Sequence, residues 1–207
     1  MTRLDDGSLM AAAMTAVNVP LRYARQNTHL AVAAMAGARQ GIHLAHYPDN
    51  DVVDHVHHTR FYYHCHRSPR LEHGHFHIFV NDREPGSFMH LAALSLSVRG
   101  EPLRWFTTNA WVTGERLPAS GNVIALLDTF QVQARGRLAP VASWLTAMVQ
   151  LFKPQLAHLL LRRDALMQRW CQSRDWAAVC DDRALDVISQ CSAALPRRIQ
   201  QFQQRGY

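Results

Sequence analysis

Residues 59–66 read Thr-Arg-Phe-Tyr-Tyr-His-Cys-His, and residues 73–80 read His-Gly-His-Phe-His-Ile-Phe-Val. Both runs are dominated by aromatic and β-branched types, which suit a pleated, packed surface. Arg67-Ser68-Pro69-Arg70 between them is a turn sequence. The two runs therefore predict an antiparallel hairpin. Side chains alternate across a strand, so His64 and His66 share one face, and His73, His75 and His77 share one face. Loop length decides whether those faces coincide. A six-residue loop, Arg67 to Glu72, sets His66 opposite His73 and His64 opposite His75, with cross-strand Cβ atoms about 4.5–5.5 Å apart. A five-residue loop puts Cys65 with His73, His75 and His77, and turns His64 and His66 the other way with Glu72. The six-residue register is preferred because it gathers five histidines on one face.

Downstream, Arg83-Glu84-Pro85-Gly86 marks a turn. His90 to Val98 then alternates, with His90, Ala92, Leu94, Leu96 and Val98 on one face. Gly100-Glu101-Pro102 turns the chain into a further strand at Leu103–Thr108. Upstream, Tyr47-Pro48-Asp49-Asn50-Asp51 reads as a turn. The N-terminal residues are helical in pattern: Met10, Met14, Val17 and Leu21 lie on one helical face and are expected to pack into the core. Pro20 is expected to break or kink that helix. A second helix is expected from about Thr28 to Gln40, closed by Gly41. Beyond the strands the pattern is helical again, at Asn122–Phe130, Val141–Phe152 and from Pro154 to Trp170, with shorter helices near Arg183–Ala194 and Pro196–Gln203. The fold class is α+β: an antiparallel sheet over about residues 59–108, flanked by N-terminal and C-terminal helices. One domain over 1–207 is expected, with a histidine-rich β core at about 55–108 and a helical part at about 120–203.

Eight of the thirteen histidines fall between His55 and His77. A window of that length would hold about one or two by chance. Neutral imidazole is the commonest protein metal ligand, so His64, His66, His73, His75 and His77 are predicted to hold a metal ion, completed by Glu72 or Asp54. Such a nitrogen-rich set suits a divalent transition metal, iron or zinc first, copper or nickel next. Two histidines and a carboxylate suit non-haem iron; three histidines and a water suit zinc. His55, His57 and His58 are read as solvated loop residues. His29, His43, His46 and His158 are read as ordinary, and His90 as intermediate because it starts a neighbouring strand.

Two further residues are predicted to carry chemistry. Glu72, directly before the second strand, is a candidate ligand, general base or partner that orients an imidazole. Tyr62, within the first strand, is a candidate proton or hydrogen-bond donor. Arg60 and Arg67 bracket that strand, and surface solvation is the favoured reading for both. Gly74 between two histidines leaves the backbone room for close approach. Asn109 to Glu115 forms an unusual loop after the last strand of the run.

The block Tyr63-His64-Cys65-His66-Arg67 followed by Glu72-His73-Gly74-His75-Phe76-His77 resembles one in an uncharacterised family of bacterial proteins of unknown function. The likeness extends through Asn109–Glu115 to the helix at Trp144–Pro154. The resemblance implies an integral site and names no reaction. Metalloprotease, Walker, dinucleotide and nucleophile-elbow motifs are absent from the sequence.

Composition narrows the classes. A hydrophobic content of 48% excludes general disorder. The net charge of +6 comes almost wholly from scattered arginines, since Lys153 is the sole lysine. Without a basic run or a binding motif, nucleic acid is not an expected partner. The four cysteines lack C-x-x-C spacing, which points to a reduced, cytoplasmic setting. No apolar run approaches a membrane span. The expectation is a metal-dependent enzyme, oxidoreductase or hydrolase, acting on a small molecule. The alternatives are a non-catalytic metal sensor, chaperone or store, and a metal-stabilised interaction module.

Overall fold

The structure, a computed structural model, describes residues 6–38, 41–42, 45–65, 72–81 and 87–204. Its centre is a six-stranded antiparallel sheet in the order β1-β2-β3-β4-β5-β6, and helices stand before and after the first five strands in the chain, which makes the fold α+β. The strands are β1 His46–Asp54, β2 Thr59–Cys65, β3 Gly74–Asn81, β4 Phe88–Leu96, β5 Pro102–Thr108 and β6 Val187–Ser192. The helices are α1 Asp6–Ala24, α2 Leu30–Ala34, α3 Ala110–Thr113, α4 Ser120–Ile124, α5 Ala139–Trp170, α6 Trp176–Cys180 and α7 Leu195–Gln203.

Strand alternation sorts the hairpin residues onto two faces. Phe61, Tyr63 and Cys65 of β2 and Phe76, Ile78 and Val80 of β3 join the main core with residues of α1, α2 and α5. Tyr62, His64, His75, His77 and Phe79 take the other face, and they too are buried. The cross-strand partners are His64 with His75 and Tyr62 with His77, the register of a six-residue loop. Cys65 therefore pairs with Gly74 and packs in the core, away from the histidines.

The sheet is wider than the 59–108 run. Residues 47–51, read as a turn, lie within edge strand β1, where pairing with β2 is interrupted between Tyr47 and Val52. An edge strand tolerates such a bulge and a proline, because one side of its backbone needs no strand partner. Residues 187–192, read as helical, are β6: they pair with β5, Thr107 opposite Ser189. That pairing partner lies some eighty residues away in the chain, beyond the reach of local pattern.

The helices also differ from expectation: α2 spans only Leu30–Ala34 of the 28–40 expected, and α4 spans Ser120–Ile124 in place of 122–130. α5 is one helix of 32 residues that runs through Pro154. Its apolar stripe, including Leu145, Met148, Phe152, Leu156 and Leu159, is buried on both sides of the proline. Burying each such side chain is worth about 1.5–3 kcal/mol, enough to outweigh the roughly 3 kcal/mol cost of an interior proline. In α1 the methionine stripe faces outwards: Met10 is 44% and Met14 57% exposed. Ala12, Ala13 and Ala16 are buried instead, and the Trp144 indole donates to the Ala16 carbonyl at 3.2 Å. Small side chains let α1 approach α5 closely, so the alanine face wins the interface. Pro20 sits inside α1 without ending it. No described helix is long and apolar enough to cross a membrane.

Candidate metal centre

His64, His75 and His77 come from one hairpin. His64 and His75 are direct cross-strand partners, and His77 is two residues further along the same face. Their rings lie edge to face, with centroids 4.2 Å apart for His64–His75 and 4.8 Å for His75–His77. One nitrogen from each ring falls within 4.8 Å of the others. The Nε2 atoms of His75 and His77 are 3.1 Å apart. Two ligands of a tetrahedral ion, with metal–nitrogen bonds of about 2.0–2.1 Å, stand about 3.3 Å apart, so this pair is spaced to share an ion. The triad is well sequestered, with exposures of 9% for His64, 7% for His75 and 0% for His77. Burial, followed by the neighbouring rings of His75, His90, His64 and His46, holds His77 well below the ordinary imidazole range. A ring kept neutral is a ring able to ligate. The donor set therefore fits a nitrogen-loving divalent ion such as zinc, iron, copper or nickel.

Glu72 stands behind His75. Its Oε1 is 2.7 Å from His75 Nδ1, and its Oε2 accepts from Arg104 Nη2 at 3.3 Å. A carboxylate only accepts, so His75 carries its proton on Nδ1 and turns a bare Nε2 towards His77. Of the roles open to Glu72 in the sequence, this contact matches the orienting partner. Arg104 is in turn stacked over Phe106, which meets the His75 ring edge-on.

The other predicted residues are placed as follows. His73 precedes the first residue of β3, so strand alternation does not bind it. Its Nδ1 is 2.8 Å from the Tyr63 hydroxyl, on the core side, and its backbone N–H bonds to Leu96. Gly74 allows this contact: a Cβ there would fall 2.2 Å from the His64 carbonyl oxygen and 2.8 Å from the Tyr63 hydroxyl. His66, like Arg67, lies outside the described residues. Tyr62 packs 5.0 Å from the His77 ring and stacks on His46 at 3.7 Å. Its phenol is raised by burial, then by Glu115 and Asp51, so it stays protonated. Asp54 is engaged elsewhere: it closes the β1–β2 turn by accepting from the Val56 and His57 backbones and the His57 ring, and it accepts from Gln133. His55 and His58 are exposed in that turn.

Sequence reasoning undervalued His90 and His46. Simple alternation sets His90 on the face of Ala92 and Leu94. A bulge in β4 intervenes: Ile78 pairs with Ala92, but Phe79 pairs with His90. The extra residue, Leu91, turns His90 onto the histidine face. There His90 Nε2 lies 3.1 Å from His77 Nδ1, and His90 Nδ1 lies 3.3 Å from Thr108 Oγ1. Burial, then Arg163, His75 and Arg60, pushes His90 down to about 3. His46 pairs with His64 across β1–β2 and bonds to Asp51 at 2.9 Å, at the more open side of the cluster. Its signal was present in the sequence only once 46–54 is read as a strand. Beside it Arg60 bridges Asp51 and Glu115 and lies over Phe79 at 4.1 Å, so it is partnered and not solvated.

Residues 10–193 match the family described as Domain of unknown function (DUF6969), and the chain belongs to it. No match was found among curated proteins or among solved structures.

Proposed function

We propose that the protein is a metal-dependent enzyme, of the zinc or non-haem iron kind, whose ion is held by His64, His75 and His77. The observation that carries this reading is the convergence of three ring nitrogens within 4.8 Å, one of them oriented by a carboxylate. When bound, such an ion supplies a Lewis acid and lowers the pKa of a water in its open position. The chain's own groups do the rest. Glu72 keeps the His75 Nε2 lone pair aimed at the site, and Arg104 holds Glu72 in place. Tyr62, protonated and against His77, donates to a substrate or to a bound water. The apolar wall of Phe79 and Phe106 excludes bulk water and suits a small molecule. His66 is proposed as a further ligand from the hairpin register, and His73 as one only if it leaves Tyr63. Cysteine usage supports a cytoplasmic setting for this chemistry.

A closed, non-catalytic site is the second reading, and the low exposure of the triad is what favours it. One experiment addresses both. Protein purified without immobilised nickel is analysed for metals, then loaded with cobalt and treated with azide. The enzyme reading expects about one ion per chain and an absorption spectrum that changes with azide, because an open position takes the anion. A spectrum indifferent to azide supports the closed site, and no bound ion under either condition removes both readings.

A further inference from the structure

His77 has a partner on each side. Its Nε2 is 3.1 Å from His75 Nε2, and its Nδ1 is 3.1 Å from His90 Nε2. Beyond His90 the chain ends on the Thr108 hydroxyl, 3.3 Å from Nδ1. Glu72 starts the chain at the other end, 2.7 Å from His75 Nδ1. Each link is short enough for one hydrogen bond, and each neutral ring carries one proton. Those two conditions determine where every proton sits.

Glu72 only accepts, so the His75 proton is on Nδ1 and His75 Nε2 is bare. A bond from His77 to that bare atom needs the His77 proton on Nε2. His77 Nδ1 is then bare and takes a proton from His90 Nε2. His90 Nδ1 is bare in turn and accepts from Thr108. Without an ion the protons therefore all point one way, from Thr108 through His90, His77 and His75 to Glu72.

An ion between His75 and His77 is incompatible with that order, because a protonated Nε2 cannot ligate. His75 already presents a bare Nε2 and need not change. His77 must carry its proton on Nδ1, and His90 Nε2 must then be bare to accept it. His90 holds its proton on Nδ1 and donates to Thr108 Oγ1. Resting on the metal reading above, we propose that His90 and Thr108 are positioning residues of the metal centre, a relay whose proton order reverses when the ion binds. The balance closes: one proton leaves His77 Nε2, one passes from His90 Nε2 to His77 Nδ1, one passes from Thr108 to His90 Nδ1, and solvent returns one to Thr108. Each ring keeps one proton and the relay itself releases none.

The β4 bulge gives this arrangement its structural logic. Were β4 regular, with Leu91 opposite Phe79, His90 would fall opposite Val80 on the core face, and His77 Nδ1 would lack this partner. A histidine, which accepts or donates at either nitrogen, serves His77 in both proton orders.

The test is long-range proton–nitrogen-15 correlation of the imidazole rings, on the full chain with and without one equivalent of zinc. The zinc-free protein should show His75 protonated at Nδ1, and His77 and His90 at Nε2. With zinc, His77 and His90 should both move to Nδ1 while His75 stays. Calorimetry on variants gives the second readout. His90→Leu should weaken zinc binding about 10- to 100-fold, the usual effect of losing a partner behind a ligand. His90→Gln, whose amide both donates and accepts, should restore most of it. Thr108→Val, which keeps the side-chain shape if His90→Leu fails to fold, should cost about 2- to 10-fold. Zinc-dependent shifts at His64, His75 and His77 with His90 still protonated at Nε2 would overturn the relay and leave the metal centre standing. Zinc that shifts none of these rings would remove the metal centre and the reversal together.

Discussion

His75 is the middle of the triad, directly across from His64 and two residues before His77, so His75→Ala is the sharpest perturbation of the site. Structural zinc sites with four ligands bind with about 10–16 kcal/mol, which averages to about 3 kcal/mol per ligand, or roughly 100-fold in Kd. An ion that binds only the folded state stabilises it by RT ln(1 + [L]/Kd), about 2.7 kcal/mol at a hundredfold excess over Kd. With Kd weakened roughly 100-fold at the same zinc concentration, the same expression gives about 0.4 kcal/mol. For a chain of this size 1 kcal/mol moves Tm by about 2–4 °C. Zinc should therefore raise Tm by about 5–10 °C in the wild-type protein and by about 1 °C in His75→Ala. The control is His58→Asn. His58 is exposed in the β1–β2 turn with φ of 51°, a left-handed conformation that asparagine tolerates, and it does not touch the triad. Its zinc-induced shift should match wild type. Melting curves with zinc and with a strong chelator, alongside elemental analysis, complete the assay. Wild-type metal content and a full zinc-induced shift in His75→Ala would refute the hairpin site.

Three further outcomes follow from other contacts. Glu72→Gln keeps an acceptor for His75 Nδ1 but removes the charge, so zinc affinity measured by calorimetry should fall about 10-fold, whereas an unchanged affinity would deny Glu72 an orienting role. In metal-free protein, burial holds the folded-state pKa values of His77 and His90 below the ordinary 6.5, to about 3 for His90. Above about pH 6.5 the rings are neutral in both states. Below it the unfolded chain takes up protons that the folded rings refuse, so stability should fall by up to about 1.4 kcal/mol per pH unit for each ring. Denaturant unfolding between pH 7 and pH 4 checks the slope, and a stability that rises on acidification would contradict it. Cys65→Ser should leave zinc uptake intact, because Cys65 lies on the core face, and should lower Tm by placing a hydroxyl among apolar neighbours.

The hairpin and its register were legible in the sequence because their causes are local. Alternating side chains and a loop of defined length determine which residues share a face, and they set His64, His75 and His77 together before any helix is placed. The α+β class and the β2–β5 meander follow from the same short-range signals. Several features were decided only by tertiary structure, each because a distant partner outweighs a local preference. β6 is a strand because β5 offers it an edge to pair with. α5 runs through Pro154 because its apolar stripe is buried on both sides of it. The alanines of α1, and not its methionines, face α5, because close packing rewards the smaller side chains. His73 leaves the cluster because it lies just before β3, where alternation no longer constrains it and the Tyr63 hydroxyl is within reach. His90 joins the cluster because of a one-residue bulge, and a bulge leaves almost no mark on hydrophobic periodicity. Alternation along the chain gathered five rings on one face, and three of them, His64, His75 and His77, meet there. The His90 ring, and with it the hydrogen-bonded path to Thr108, joins that face only once β4 is paired with β3.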